Sequence, residues 1–417
     1  MSDSRLVPNI RFKKFEIQWS KYKFADMLDK NNGIRRGPFG SSLRKDSFVK
    51  KGDYVVYEQQ NAIYNMYKTR YNINKSKFEE LKKFELQPGD FIMSGAGTIG
   101  KISEVPEGIT PGIFNQALIR FKINKKTTSR TFFLTFMRSY TMQRKLTEKN
   151  PGSAISNLVS MKEVKNFSIV IPDKQEQQKI GNFFAKLDKL LDLQQQKIDK
   201  LELLKKALLQ KLFPKHDTKI PELRFKGYKE DWRDKKTLEL VSERNSKIIP
   251  NDEYPLKAFI AKKGISEKGE KYNRSFLVKS RQKKYKKTEY GDLIYSSNNL
   301  EVGSIGINRY GNACISPVYS IFKVNNSLTY DFLGYLIQRK EFIFNMIRYR
   351  QGVTYGQWKI HESDFLNIQV LVPETIDEQQ KIGNLLSKVD QLIELENKKL
   401  QDFQQVKKCL LQNMFVE

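Results

Sequence analysis

The chain has 417 residues, with 75 lysines and arginines against 47 acids, a formal charge of +28 and 12% aromatic residues. That aromatic content excludes a basic disordered tail, the length suits two or three domains, and the charge calls for a polyanionic partner, nucleic acid foremost. There is no long apolar run and no strongly basic amphipathic helix, so the expectation is no membrane span. Met1 to Ile10 carries no apolar signal region. The two cysteines, Cys314 and Cys409, suit a reducing cytoplasm, and His216 and His361 leave little material for a metal site or histidine catalysis.

The first elements are short. Tyr54 to Tyr57, Phe91 to Ser94, Ala117 to Ile123 and Phe167 to Ile171 read as strands, and Thr131 to Leu146 as one helix. The order recurs later. Leu293 to Tyr295, Tyr319 to Val324 and Ile368 to Val372 read as strands, and Tyr330 to Ile347 as one helix. Anchors are shared as well: Pro8-Asn9-Ile10-Arg11-Phe12 leading to Trp19 matches Pro221-Glu222-Leu223-Arg224-Phe225 leading to Trp232. Gly89-Asp90 pairs with Gly291-Asp292, and Ile99-Gly100 with Ile305-Gly306. Between these landmarks the halves diverge. Two α+β units with mostly antiparallel sheets are expected.

Each unit ends in the same segment. Residues 176–213 and 378–415 both begin Glu-Gln-Gln-Lys-Ile-Gly-Asn and align without a gap, with 18 of 38 positions identical. Both carry a heptad seam. In the first it runs Ile180, Phe184, Leu187, Leu191, Gln194, Ile198, Leu201, Lys205, Leu208 and Leu212. In the second it runs Ile382, Leu386, Val389, Ile393, Glu396, Leu400, Phe403, Lys407, Leu410 and Met414. Asp173 with Glu176, and Thr375 with Glu378, have capping-box spacing, and Pro214 ends the first helix. Two such seams pack most simply on each other, antiparallel. A constant residue sum of 601 would set Lys205 against Glu396, Gln194 against Lys407, Leu201 against Leu400 and Ile198 against Phe403. Gly181 and Gly383 mark places where these helices approach other backbone closely, and Lys186, Asp188, Lys197 and Lys206 are expected to face partners. The expected boundaries are 1–174 and 214–374 for the globular units, and 175–213 and 375–417 for the helices.

Several stretches suit nucleic acid. Arg35, Arg36, Ser41, Ser42, Arg44 and Lys45 lie on a glycine-punctuated basic loop that fits phosphates, or is simply a solvated loop. Gln59, Gln60 and Asn61 could supply bidentate amides to adenine, or satisfy a turn. Tyr64, Tyr67, Lys68, Arg70 and Tyr71 interleave rings and bases. The run from Lys279 to Lys287, with Arg281, Lys283, Lys284 and Lys286, suits phosphate contact. Two equivalent polar loops precede the last strand of each unit: 151–157, with Ser153, Ser156 and Asn157, and 352–358, with Tyr355 and Gln357. Gly95 to Gly100 followed by Lys101 half-matches a phosphate-binding loop. Ile102 stands where Ser or Thr is needed, and Pro106 and Gly108 leave no room for the required helix, so a tight turn is expected there, with Lys101 as a DNA candidate. No methyltransferase Asn-Pro-Pro-aromatic motif and no nuclease constellation is present, so no catalytic residue is expected.

Taken together, the strand–Pro–Glu-Gln-Gln-Lys-Ile-Gly junctions (Ile169 to Gly181, Val370 to Gly383), the doubled helices and the Gly37-Pro38-Phe39-Gly40-Ser41 loop resemble the specificity subunit of type I restriction–modification systems. The resemblance implies two target-recognition domains, each reading half of a split double-stranded DNA site, joined by helices that form an antiparallel coiled coil. It implies two methyltransferase subunits docked on that scaffold, and two restriction (motor-nuclease) subunits. S-adenosylmethionine, ATP and Mg would sit on those partners, and the subunit itself would be non-catalytic. The competing readings are a stand-alone DNA methyltransferase or nuclease, and a coiled-coil adaptor for protein or RNA.

Overall fold

A computed structural model describes residues 6–147, 160–215, 218–267, 283–326, 329–353 and 356–416. The chain divides into unit 1, Met1–Gln195 with Lys398–Glu417, and unit 2, Gln196–Asn397. In chain order unit 1 holds β1 (Ser20–Lys23), β2 (Ile34–Arg36), β3 (Tyr54–Tyr57), α1 (Gln59–Tyr64), β4 (Tyr71–Ile73), α2 (Lys75–Glu80), β5 (Phe91–Ser94), β6 (Ile102–Glu104), β7 (Gly112–Phe114) and β8 (Leu118–Phe121). Then come α3 (Arg130–Arg138), α4 (Tyr140–Thr147), α5 (Met161–Asn166), β9 (Ser168–Ile171) and the long α6 (Lys174–Lys211), which passes into unit 2. Unit 2 continues with β10 (Arg233–Lys236), β11 (Val241–Glu243), β12 (Lys247–Ile248), β13 (Ala258–Ile260), β14 (Gly264–Ser266), β15 (Tyr285–Thr288), β16 (Leu293–Tyr295), β17 (Ile305–Ile307), β18 (Ala313–Ile315) and β19 (Ser320–Val324). Last are α7 (Tyr330–Ile337), α8 (Lys340–Ile347), β20 (Gln351–Val353), β21 (Gln357–Lys359), α9 (Glu362–Leu366), β22 (Gln369–Val372) and α10 (Ile376–Asn413), which ends in unit 1.

The two units share a frame. A four-stranded sheet runs β2-β8-β5-β6 in one and β11-β19-β16-β17 in the other. A two-stranded pair, β1-β9 or β10-β22, closes each unit ahead of its long helix. β5 and β8 are buried at every position, which is why they read as continuous apolar runs. The smaller sheets differ in extent. In unit 1, β7 pairs in parallel with β3 and meets only an isolated bridge, Glu85 to Ile113, on its other side. In unit 2 the proportions reverse: β18 pairs fully with β15, and the parallel neighbour shrinks to a bridge between Leu256 and Cys314. Lys287 therefore corresponds to Glu85, which sets Lys284 in the place of Lys82 and Tyr285 in that of Lys83.

One sequence equivalence moves. Ile102 pairs with Met93 and Ile305 with Tyr295, so Ile305 matches Ile102 and not Ile99. The true counterpart of Gly100 is Gly303. Both are left-handed, at φ +82° and +90°, in the turns after β5 and β16. The two long amphipathic segments are also each two helices. Ser139 (ψ 153°) separates α3 from α4, and Arg339 (ψ 143°) separates α7 from α8. Ser139 Oγ accepts from the Met142 amide at 3.3 Å, acting as a cap inside a stretch whose apolar period continues unbroken.

The repeated Glu-Gln-Gln-Lys-Ile-Gly segment is an anchor. Glu176, 1% exposed, accepts from Arg11 Nε and Nη2 at 2.8 and 2.7 Å and from Trp19 Nε1 at 3.1 Å. Glu378 accepts from Arg224 in the same way, at 2.8 and 2.9 Å. The predicted capping boxes are thus half formed: Asp173 Oδ1 caps the Glu176 amide at 2.9 Å, but the Glu176 carboxylate turns to Arg11. Gln177 Nε2 donates to the Pro172 carbonyl and Gln379 Nε2 to that of Pro373, both at 3.0 Å. Gly181 lies so near the start of α3 that a Cβ would stand 2.3 Å from the Phe132 nitrogen, and at Gly383 one would stand 2.7 Å from that of Phe332. These are the close approaches expected of the two glycines.

The long helices pair antiparallel within each unit. In unit 1 the first half of α6 runs beside the end of α10, and Lys407 bonds Asp188. In unit 2 the end of α6 runs beside the first half of α10, with Lys197 Nζ 2.9 Å from Glu396 and Lys205 Nζ 2.6 Å from Asp390. Paired numbers add to 593–595, so the register differs by one heptad from the expected 601. Lys205 does not meet Glu396, and Lys407 meets Asp188 instead of Gln194. The observed register sets Leu201 toward Ile393 and Phe403 toward Leu191 in place of the expected partners. Phe184, Ile198, Leu386, Val389, Glu396 and Leu400 are buried, whereas Leu187, Leu191, Leu201, Lys205, Ile393 and Phe403 are half-buried. Asp188, half-buried, serves these pairs; Lys197 pairs with Glu396 yet stays exposed, as do Lys186 and Lys206. The helix ends complete the cores. Phe415 sits among Phe132, Phe136 and Phe184 in unit 1, and Phe213 among Trp232 and Phe332 in unit 2.

Candidate nucleic-acid interface

In unit 1 the basic loop leaves the edge strand β2. Gly37 is obligatory, because a Cβ there would lie 1.9 Å from the Asn115 carbonyl oxygen where the loop crosses the β7–β8 turn. Its amide donates to the Leu118 carbonyl at 3.0 Å. The chain then buries Pro38, leaves Phe39 87% exposed and makes a 3₁₀ turn over Gly40–Ser42. Arg36, Ser41, Arg44 and Lys45 are exposed, while Arg35 and Ser42 are half-buried; Arg35 Nη2 donates to Asn32 Oδ1 at 2.9 Å. The loop forms one wall of a cleft of about 830 Å³, which Lys83, Gln116 and Ala96 also line. Beneath it Arg120, buried on β8, donates to the Glu85 and Asn32 carbonyls, and burial lowers its pKa.

The amide triplet opens α1 and divides by role. Gln59 Nε2 donates to the Ala96 carbonyl at 2.5 Å, tying α1 to the β5–β6 turn. Gln60 is half-buried. Asn61 is 0% exposed: its Oδ1 accepts from the Glu58 amide and its Nδ2 donates to the Met66 and Lys68 carbonyls. It builds the turn and cannot reach a base, which corrects the expectation for this residue. Tyr64 is 65% exposed, but Tyr67 is held by Ser103 and the Glu104 carbonyl, and burial pushes its pKa up to about 12. Tyr71 stacks on Phe48 at 4.3 Å, and Arg70 pairs with Glu58 at 2.9 Å. Lys101 is exposed after a turn that closes the β5–β6 hairpin with no helix behind it.

In unit 2, Lys283 and Lys284 are exposed before β15. Lys286 is not: it is 7% exposed and desolvation lowers its pKa, so it is no phosphate contact. Gln357 is exposed on β21 beside Trp358, whose amide donates to Asn298 Oδ1 at 2.7 Å. Ser153, Ser156, Asn157, Arg281, Tyr355 and His216 lie outside the described residues. Lys83 and Gln116, which also line the cleft, carry no local sequence signal that sets them beside the Gly37–Ser41 loop. Among the described residues no group of three or more His, Cys, Asp or Glu could hold a metal ion, and no helix is long and apolar enough to cross a membrane.

The model of the type I restriction modification DNA specificity domain matches residues 16–203 and again 229–405. The chain belongs to that family. Its function is therefore that of the family's DNA sequence-recognition subunit in a type I restriction–modification complex, which is non-catalytic. Neither a stand-alone methyltransferase or nuclease nor a general adaptor fits that assignment. The chain is 23% identical over 356 residues to a protein of Methanocaldococcus jannaschii named as the specificity subunit of the MjaX type I restriction enzyme, covering 80% of this chain and 79% of that one. Its fold resembles the type I S subunit of M. genitalium, with a TM-score of 0.60, 15% identity and 99% of both chains covered. It also resembles a chain solved in work on assembly and conformational transition of the type I system, with a TM-score of 0.53, 16% identity and 94% and 96% covered. This specificity subunit thus shares its fold across nearly its whole length, at identities too low to transfer contact residues.

Proposed function

We infer that this specificity subunit reads a bipartite double-stranded DNA site, one half per unit, and directs adenine methylation or restriction by partner subunits. Two methyltransferase subunits and two restriction subunits complete the assembly, and they carry S-adenosylmethionine, ATP and Mg. The supporting observation is a shared frame with different exposed segments: the Gly37–Lys45 loop and its cleft in unit 1, and the β20–β21 hairpin with Lys283 and Lys284 in unit 2. A common scaffold with divergent polar surfaces suits two different half-sites. Arg36, Arg44, Lys45, Lys101, Lys283 and Lys284 serve phosphates in this reading, and the amides serve bases.

The test is to map adenine methylation in cells expressing the chain with its methyltransferase. A split motif with a fixed spacer is expected. Exchanging the unit 2 segments for those of a relative should change one half of the motif only. Methylation without a split motif, or loss of both halves on exchanging one unit, would refute the reading.

A further inference from the structure

The hairpin of unit 2 has features beyond a polar loop. β20 and β21 pair with Gln351 opposite Lys359, Gly352 opposite Trp358, and Val353 opposite Gln357. All six residues are exposed. Directly opposed residues share a face of a ribbon and neighbours alternate. One face therefore carries Gln351, Val353, Gln357 and Lys359, and the other only Trp358, since Gly352 has no side chain. The amides of Gln351 and Gln357 make no hydrogen bond among the described residues, and nothing lies within 4 Å of a Cβ built on Gly352.

The base of the ribbon is fixed. Trp358 N–H donates to Asn298 Oδ1 at 2.7 Å and Ile360 N–H to Ser297 Oγ at 3.0 Å. Arg350, just before β20, holds Glu301 with both terminal nitrogens, one at 2.7 Å. All three anchors lie on the β16–β17 connection, so a fixed hairpin base carries an exposed polar face.

We propose that this ribbon enters the major groove and is the sequence-reading element of unit 2, with Gln351 and Gln357 contacting adenine edges and Val353 a thymine methyl. Two strands about 4.8 Å apart fit a groove about 12 Å wide. A glutamine amide matches the acceptor–donor pair at adenine N7 and N6, and an apolar side chain beside it matches thymine C5-methyl. Lys359 lies on the same face and supplies a cation to guanine or phosphate. The half-site read by unit 2 therefore contains A·T pairs. This rests on the bipartite reading above.

The experiment uses the full chain in complex with its methyltransferase, on duplexes carrying the mapped site. Gln351→Ala and Gln357→Ala should each relax discrimination at one A·T pair of the unit 2 half-site by about 5- to 150-fold, the range of one bidentate contact. Discrimination in the other half-site should be unchanged. Replacing that adenine with 7-deazaadenine, which keeps base pairing but removes N7, should weaken the unsubstituted complex and leave the matching variant indifferent. The proposal is overturned if the double variant keeps full discrimination, or if affinity falls equally for specific and unrelated DNA, as loss of a docking contact to the methyltransferase would give. Absence of any bipartite specificity in the unsubstituted complex would instead defeat the underlying reading.

Discussion

Phe415 stands near the end of the chain yet is a core residue of unit 1. It is 3% exposed, with its ring centroid 5.9 Å from those of Phe132 and Phe136 and 6.3 Å from that of Phe184. Met414, also 3% exposed, lies in the same core. Phe415→Ala removes a buried ring on three aromatic neighbours, a change that costs about 3–5 kcal/mol. A domain's whole stability is typically about 5–15 kcal/mol, so unit 1 should be left near its limit. Hydrogen exchange followed by peptide resolves the effect. Amides of β5 and β8 should lose about two to four decades of protection, while β16 and β19 in unit 2 keep theirs. Phe213→Ala should give the mirror result, because Phe213 stacks on Phe332 at 5.5 Å within unit 2. A loss under tenfold in β5 and β8, or an equal loss in β16 and β19, would refute the claim that each helix end closes the core of the unit it reaches.

Gly181→Val should destabilise unit 1 by several kcal/mol, since its Cβ would overlap the backbone at Phe132; a variant melting within a degree of the parent would contradict that close approach. Asp188→Lys should cost more than the about 0.5–1 kcal/mol of a single exposed pair, because Asp188 also accepts from Arg138 Nη1 at 3.2 Å; adding Lys407→Glu should recover the Lys407 part only, and no coupling in the double-mutant cycle would argue against the observed register. Burial lowers the Lys286 pKa below 10.5, so its charged form opposes folding at low and neutral pH, and this is relieved as pH rises from the folded pKa through 10.5. Lys286→Met should therefore raise the melting temperature most at neutral pH and least above pH 10.5, and an advantage that grew with pH would exclude this account.

The doubled helices were legible because a 38-residue repeat and a heptad pattern are long-range signals that no local interaction overrides. Their register was not. A heptad seam looks the same after a slip of seven, and only the polar interruptions Gln194, Lys205, Glu396 and Lys407 distinguish the alternatives. Their formal charge match favoured the wrong one. The deciding contacts are at the ends, where Phe213 and Phe415 must reach their aromatic pockets, and those pockets come from residues far away in sequence. Ser139 and Arg339 escaped notice for a related reason: the apolar period runs on through both breaks, and only the backbone turn reveals them. On the candidate surface, the exposure of Arg36, Arg44 and Lys45 was readable from charge and glycine spacing. Asn61 and Lys286 were not, because burial depends on partners such as Met66 or on a neighbouring strand, which composition does not encode.

The division of the chain has a consequence for the order in which the protein is made. Unit 2 is one continuous stretch, Gln196–Asn397, so every residue of its core has been translated before the last turns of α10 are. Unit 1 is not continuous. Its sheet is translated first, but its core stays open until Met414 and Phe415 arrive, and Ile10 N–H has no partner until the Asn413 carbonyl is in place. The half that is translated first is therefore the last to close, and for the duration of unit 2 synthesis Phe132, Phe136 and Phe184 form an exposed apolar cavity. That opening disappears when Met414 and Phe415 pack into the unit 1 core.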